Sequence, residues 1–93
     1  MFVGICKFDL VLNEGTSLKE KRQVIRSIID KLRHRYNISI AETGSQDNLR
    51  RAEIGVAVVS NEVRYLEGLL GKIVNFVETN EHVDIVEVYK EIV

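Results

Sequence analysis

Four cations of this chain, Lys19, Arg22, Arg26 and Arg33, recur at spacings that put them within about 60° of arc on a helix turning ~100° per residue. The chemistry open to such a stripe is phosphate recognition. Each cation set against a nucleic-acid backbone releases counterions and adds affinity that is independent of base sequence. Lys21 falls nearer the apolar side of the same segment and is the fifth candidate phosphate contact. Lys31 and Arg35 lie on the opposite flank, and Arg50 and Arg51 open the apolar segment that follows. A solvated helix face, its long side chains covering the edge of a core, has the same sequence appearance.

Other chemistries find less to work with. One cysteine, Cys6, and two histidines, His34 and His82, show no ligand-like spacing, so neither a metal nor any other cofactor is expected. Cys6 sits in an apolar stretch and reads as a small core residue. Each serine has a capping, helix or strand explanation, and none has a base at a suggestive distance along the chain. Glu42 and Asp47 flank a loop with Thr43, Ser45 and Gln46 and could form a small polar site, although the loop reads first as a solvated turn. The turn Asn13-Glu14-Gly15-Thr16 could cradle a small anion at the positive end of the following helix.

Charge is segregated behind a net value of −1. Residues 17–51 carry nine bases against four acids, and residues 52–93 carry three bases against eight acids. If these stretches form different surfaces, the molecule is a charge dipole with a near-neutral sum. Its 93 residues suffice for one hydrophobic core, so a single domain over 1–93 is expected. No run of ~18 apolar residues is present for a membrane span, and the N-terminal apolar stretch is broken by Lys7 and Asp9. A soluble, cytoplasmic protein without a membrane partner is the expectation.

The elements that must position the cations follow from periodicity. Residues 2–12 alternate as a strand, with Phe2, Gly4, Cys6, Phe8, Leu10 and Leu12 on one side. Ser17 and Glu20 fit a capping box, so a helix begins at about Leu18. Its apolar positions Leu18, Ile25, Ile28, Ile29, Leu32 and Tyr36 form one arc. Ile38 and Ile40 mark a short second strand, and Ala52, Ile54, Val56 and Val58 the core side of a third. Ser60-Asn61 can cap a second helix with Val63, Leu66, Leu70, Ile73 and Val77 on its inner stripe. The last segment, 83–93, is β-branched, but its apolar positions change register between Ile85 and Val86, which suggests a bulge.

The order β-α-β-β-α-β with right-handed crossovers specifies an α+β fold, a ferredoxin-like βαββαβ sandwich: a four-stranded antiparallel sheet with two helices on one face. The opposite sheet face is left bare. Residues such as Val3, Ile5, Ala57 and Val59, or their alternates, make it apolar, so a homodimer formed through the open sheet face is expected. The third strand reads Arg51-Ala52-Glu53-Ile54-Gly55-Val56-Ala57-Val58-Val59 and lacks the aromatic pair on which RNA-recognition domains of this topology stack bases. Any RNA would be held by its backbone along the first helix.

Two segments also carry a resemblance. Ser17-Leu18-Lys19-Glu20-Lys21-Arg22, then Ala41-Glu42 with Gln46-Asp47 and the run from Arg51 to Ser60, are similar to the YlxP-like bacterial proteins, a domain of unknown function. The resemblance covers nearly the whole chain. It implies a ferredoxin-like fold, no enzymatic activity, and a gene placed in many bacteria among translation and ribosome-maturation genes. The chain departs from the pattern at Asn48-Leu49, where the family has a bulky, often aromatic pair. The preferred expectation is a non-enzymatic protein that binds RNA or a ribosomal particle through Lys19, Lys21, Arg22, Arg26 and Arg33. The second is a regulatory module of ACT-like type that holds a small anionic metabolite at a dimer interface, with Asn13 to Thr16 as its site.

Overall fold

In a computed structural model of the chain, residues 1–13 and 17–93 are described. They form β1 (Phe2–Leu12), α1 (Leu18–Arg35), β2 (Ser39–Gly44), β3 (Arg51–Ser60), α2 (Val63–Glu78) and β4 (Val83–Ile92). The strands make one sheet in the order β2-β3-β1-β4 with every neighbouring pair antiparallel, so the ferredoxin-like expectation holds.

The local reasons are those of the sequence. Ser17 and Glu20 form a reciprocal box: the Glu20 amide donates to Ser17 Oγ at 3.1 Å and the Ser17 amide to Glu20 Oε1 at 3.3 Å. α1 ends at Tyr36, whose extended backbone breaks the helix while its amide still donates to Leu32. The start of α2 differs from expectation. Glu62 is its N-cap and makes no side-chain cap, while Ser60 Oγ accepts the Glu62 amide one step earlier.

Cys6, Phe8, Leu10 and Leu12 of β1 face Ile25, Ile28 and Leu32 of α1 and Leu66, Leu70, Ile73 and Val77 of α2 in one buried cluster. Each large side chain removed from water there contributes roughly 1.5–3 kcal/mol. Leu18 and Val63, the first residues of their helices, stay largely outside it. The register change in β4 is a bulge: Leu10 pairs with Ile85 and Asp9 with Glu87, which leaves Val86 as the extra, exposed residue. Val83, Ile85 and Val88 thereby all turn inward, and the broken alternation is resolved.

The face away from the helices carries Val3, Ile5, Lys7, Asp9 and Val11 on β1 and their partners Val59, Ala57, Gly55, Glu53 and Arg51 on β3. It is apolar only at the end near Val3 and Val59. Further along, charged residues take over, which corrects the expectation of a mostly apolar surface. No described helix is long and apolar enough to cross a membrane.

Cys6 is fully buried, and burial pushes its thiol up to about 11, with the nearby Lys90 charge acting the other way. Because the folded state holds this proton more tightly than an exposed thiol at 9.0 does, its contribution to stability is complete below pH 9 and is lost as pH rises through 11. At pH 8 the native protein should therefore not react with a chromogenic thiol reagent, and the same solution in denaturant should titrate one thiol per chain. Rapid labelling without denaturant would show that β1 is not packed as described.

Candidate nucleic-acid interface

α1 sits on the sheet by one side, so its azimuth is set by Ile25, Ile28 and Leu32 and everything opposite them is solvated. Lys19, Arg22 and Arg26 are exposed and, among the described residues, take part in no salt bridge. With Gln23 they line a hollow of about 230 Å³. Arg22 and Arg26 also border a groove of about 350 Å³ beside β2, walled by Ile29, Asp30, Arg33 and Glu42.

Arg33 occupies that stripe in a different state. Its Nη2 donates to the Ile40 carbonyl at 3.0 Å, on the outer edge of β2, and Nη1 lies 3.9 Å from Asp30. The side chain remains 57% exposed, so one side of the guanidinium is committed to the strand edge and the rest is open. It ties α1 to β2 and ends the stripe.

Lys21 departs from the expectation of a phosphate contact. It is 2% exposed, and its ammonium donates to the carbonyls of Ser45 at 2.8 Å and Asn48 at 2.7 Å, with Glu42 Oε2 at 3.4 Å. An ammonium held this way has no surface to offer an RNA backbone. Glu42 Oε2 is itself buried and forms no hydrogen bond, so the contact with Lys21 is ionic. The sequence carried a signal for this. At 100° per residue Lys21 falls inside the arc of Ile25, Ile28 and Leu32, where a charge must find partners or unfold the helix.

The partners come from the turn after β2. The Asn48 amide donates to Ser45, which has φ of 59°, and Asn48 Oδ1 accepts the amides of Arg50 at 2.8 Å and Arg51 at 3.0 Å. A small side chain with a carbonyl suits this turn, which gives Asn48 a role that a bulky residue there would not fill. Leu49 is left 45% exposed. Arg50 is drawn off by the Leu12 carbonyl, and Arg35 stacks over the Phe76 ring at 5.3 Å, so neither adds to the stripe. Glu42 and Asp47 thus do not share a polar pocket; Glu42 turns to Lys21. Of the second candidate site, Glu14, Gly15 and Thr16 lie outside the described residues. Among the described residues no group of three or more His, Cys, Asp or Glu could hold a metal.

These features define a ferredoxin-like domain with a basic outer helix and a lysine locked beneath it. The chain belongs to the family described as protein of unknown function (DUF503), whose model matches residues 3–90. It is 31% identical over 77 residues to the uncharacterized protein YlxP of Bacillus subtilis (strain 168), covering 83% of this chain and 84% of that one. Its backbone is similar to the de novo designed protein Foldit4, with a TM-score of 0.59 at 16% identity, over 100% of this chain and 97% of the other. That likeness shows the fold alone.

Replacing the buried ammonium leaves the Glu42 carboxylate and two carbonyls without their partner. Lys21→Met should lose about 3–5 kcal/mol in urea unfolding, and adding Glu42→Gln should recover part of the loss by removing the stranded charge. A Lys21→Met protein as stable as wild type would show that the ammonium is not anchored in this way.

Proposed function

We propose that the protein binds structured RNA, free or within a ribosomal particle, through the outer face of α1, and acts by binding without catalysing a reaction. Lys19, Arg22 and Arg26 are the phosphate contacts, with the open part of Arg33 extending the track. The observation that carries the reading is that these three cations share one exposed arc while forming no salt bridge among the described residues. A helix face kept only for solubility is usually laced with acids at i+4 that pair with its bases. Here Lys19 is followed at that spacing by Gln23, Arg22 by Arg26 and Arg26 by Asp30, so the first two steps carry no acid.

From Lys19 to Arg33 the stripe runs roughly 21 Å along the helix axis, enough for several consecutive phosphates. Recognition of this kind reads shape and backbone, in keeping with a sheet that has no aromatic stacking platform. It also agrees with the translation-related gene setting that the resemblance implies, and a cytoplasmic location is part of the same proposal.

Ribosomal RNA and ribosomal subunits should bind at low salt, with log affinity falling linearly against log salt at a slope of about −2 to −4 for three or four contacts. Lys19→Glu, Arg22→Glu and Arg26→Glu together should abolish binding and leave the melting temperature nearly unchanged, since all three side chains are exposed. Absence of binding at low salt, or full binding by the triple variant, overturns the reading.

A further inference from the structure

The sheet face opposite the helices is not finished by this chain. Its register puts Ala41 of β2, Gly55 of β3, Lys7 of β1 and Tyr89 of β4 in one cross-strand row. At the β2 end of that row lies a depression of about 400 Å³. Gly55, Ile5, Ala41, Ala57 and Thr43 line it, and Thr43 leans over the glycine, its Cγ2 2.8 Å from where a Cβ on Gly55 would stand. At the other end Tyr89 stands 47% exposed, its hydroxyl directed to Glu91. One sheet face thus holds a hollow and an aromatic projection at equal distance on either side of β1.

That spacing has a symmetric solution. A two-fold axis lying between two stacked sheets and running along β1 exchanges the two sides of that strand, so β4 of each copy passes over β3 of the other. Tyr89 of one copy then lies over Gly55 of the other. In the row of Val3, Val93 lies over Val59, and in the row of Val11, Asp84 lies over Arg51. The row of Lys7 sets the two Lys7 side chains together, and the row of Asp9 sets Asp9 over its own mate and Glu87 over Glu53. The two rows are adjacent and opposite in sign, and within each copy the Glu53 carboxylate is already engaged by Thr43 at 2.6 Å and Lys7 at 3.9 Å.

We infer that the open sheet face is a homodimer interface built on the mutual insertion of Tyr89 into the hollow over Gly55. Charge excludes the other obvious occupants. The face carries Asp9, Glu53, Asp84, Glu87 and Glu91 against Lys7 and Arg51, so nucleic acid and anionic lipid are repelled. A second copy brings the same excess of acid and offsets it where Asp84 meets Arg51 and where the Lys7 row adjoins the Asp9 row. Size agrees as well. Four strands spaced ~4.8 Å apart and some ten residues long at ~3.4 Å present on the order of 600 Å² in projection. Standard interfaces bury about 800 Å² per partner, and a side-chain surface exceeds its projection. Tyrosine seated in a pocket near the centre of such a patch is the common form of an energetic anchor. The inference rests on the sheet face and is independent of the RNA reading.

Sedimentation equilibrium of the full chain at micromolar concentration should give twice the 10.6 kDa of one chain. Tyr89→Ala, an exposed truncation, should weaken the dimer roughly tenfold or more, and Ala57→Glu should leave a folded monomer by circular dichroism. Sheets stacked ~10 Å apart are too far for a disulfide, so Lys7→Cys is joined instead with a short bis-maleimide, which should link two copies because each Lys7 faces its own symmetry mate. A monomeric wild type overturns the inference. So does a dimer that withstands both substitutions, or one in which the Lys7→Cys protein is not linked.

Discussion

A single ammonium taken out of water sets the rest of this molecule. Burying an isolated lysine costs several kcal/mol even after relaxation, and the fold compensates only by bringing a second piece of chain to it. The carbonyls of Ser45 and Asn48 and the Glu42 carboxylate converge on Lys21 from the end of β2 and the turn beyond it. The two similar segments of the family resemblance, one around Lys21 and one around Glu42, therefore meet in space. Together with the packing of Ile25, Ile28 and Leu32, that contact fixes how α1 is rotated about its own axis. With Lys21 turned inward beside Ile25 and Ile28, Lys19, Arg22 and Arg26 have no choice but to face outward. The exposure of the basic stripe thus goes with the burial of one of its apparent members on the same side as the apolar arc.

The same constraint stabilises a turn that would otherwise be short of partners. Ser45 has a positive φ that an L residue adopts at some cost, and its carbonyl is held by both Lys21 and the Asn48 amide. Asn48 in turn starts β3 by accepting two successive amides. Strand β2 is a short edge strand, and its outer side is occupied where Arg33 donates to Ile40. The basic helix, the turn and the sheet edge consequently behave as one unit, in which charged side chains divide between holding the structure and facing solvent.

Most of the fold was legible because its signals are local. Alternation in β1, the Ser17 and Glu20 box and the apolar arc of α1 each follow from spacing within a few residues, and the bulge in β4 announced itself as a break in register between Ile85 and Val86. The site was less legible. Counting charges along α1 grouped Lys21 with its neighbours, although its azimuth placed it among the core residues, because a count ignores direction while burial depends on it. Arg33 looked equivalent to Arg26 until a neighbouring strand edge claimed part of it. No pattern in α1 alone could reveal partners that lie 21 to 27 residues further along the chain. The open sheet face was read as apolar because Val3, Ile5, Ala57 and Val59 lie at one end of it. The row from Gly55 to Tyr89 becomes visible only when three strands are set in register.

The likeness to a designed protein bears on where function can reside. The same topology occurs in a de novo designed protein, and a topology alone does not specify an activity. What distinguishes this chain must lie in features that folding does not require, and two such features are opposite in place and in sign. The helix layer carries cations that the described structure leaves without salt bridges, and the sheet face carries excess acid around a hollow. Because the two surfaces lie on opposite sides of one sheet, pairing through the sheet leaves both copies of α1 on the outside, facing away from each other. A dimer of this form presents two basic stripes to one large partner or to two partners. Engaging both at once makes the second contact effectively intramolecular and raises avidity without any new contact, provided that the partner's phosphates span the separation between the stripes. A compact RNA fold or a ribosomal particle can meet that condition by wrapping past the edge of the dimer. A short single strand held by one stripe gains nothing from the pairing.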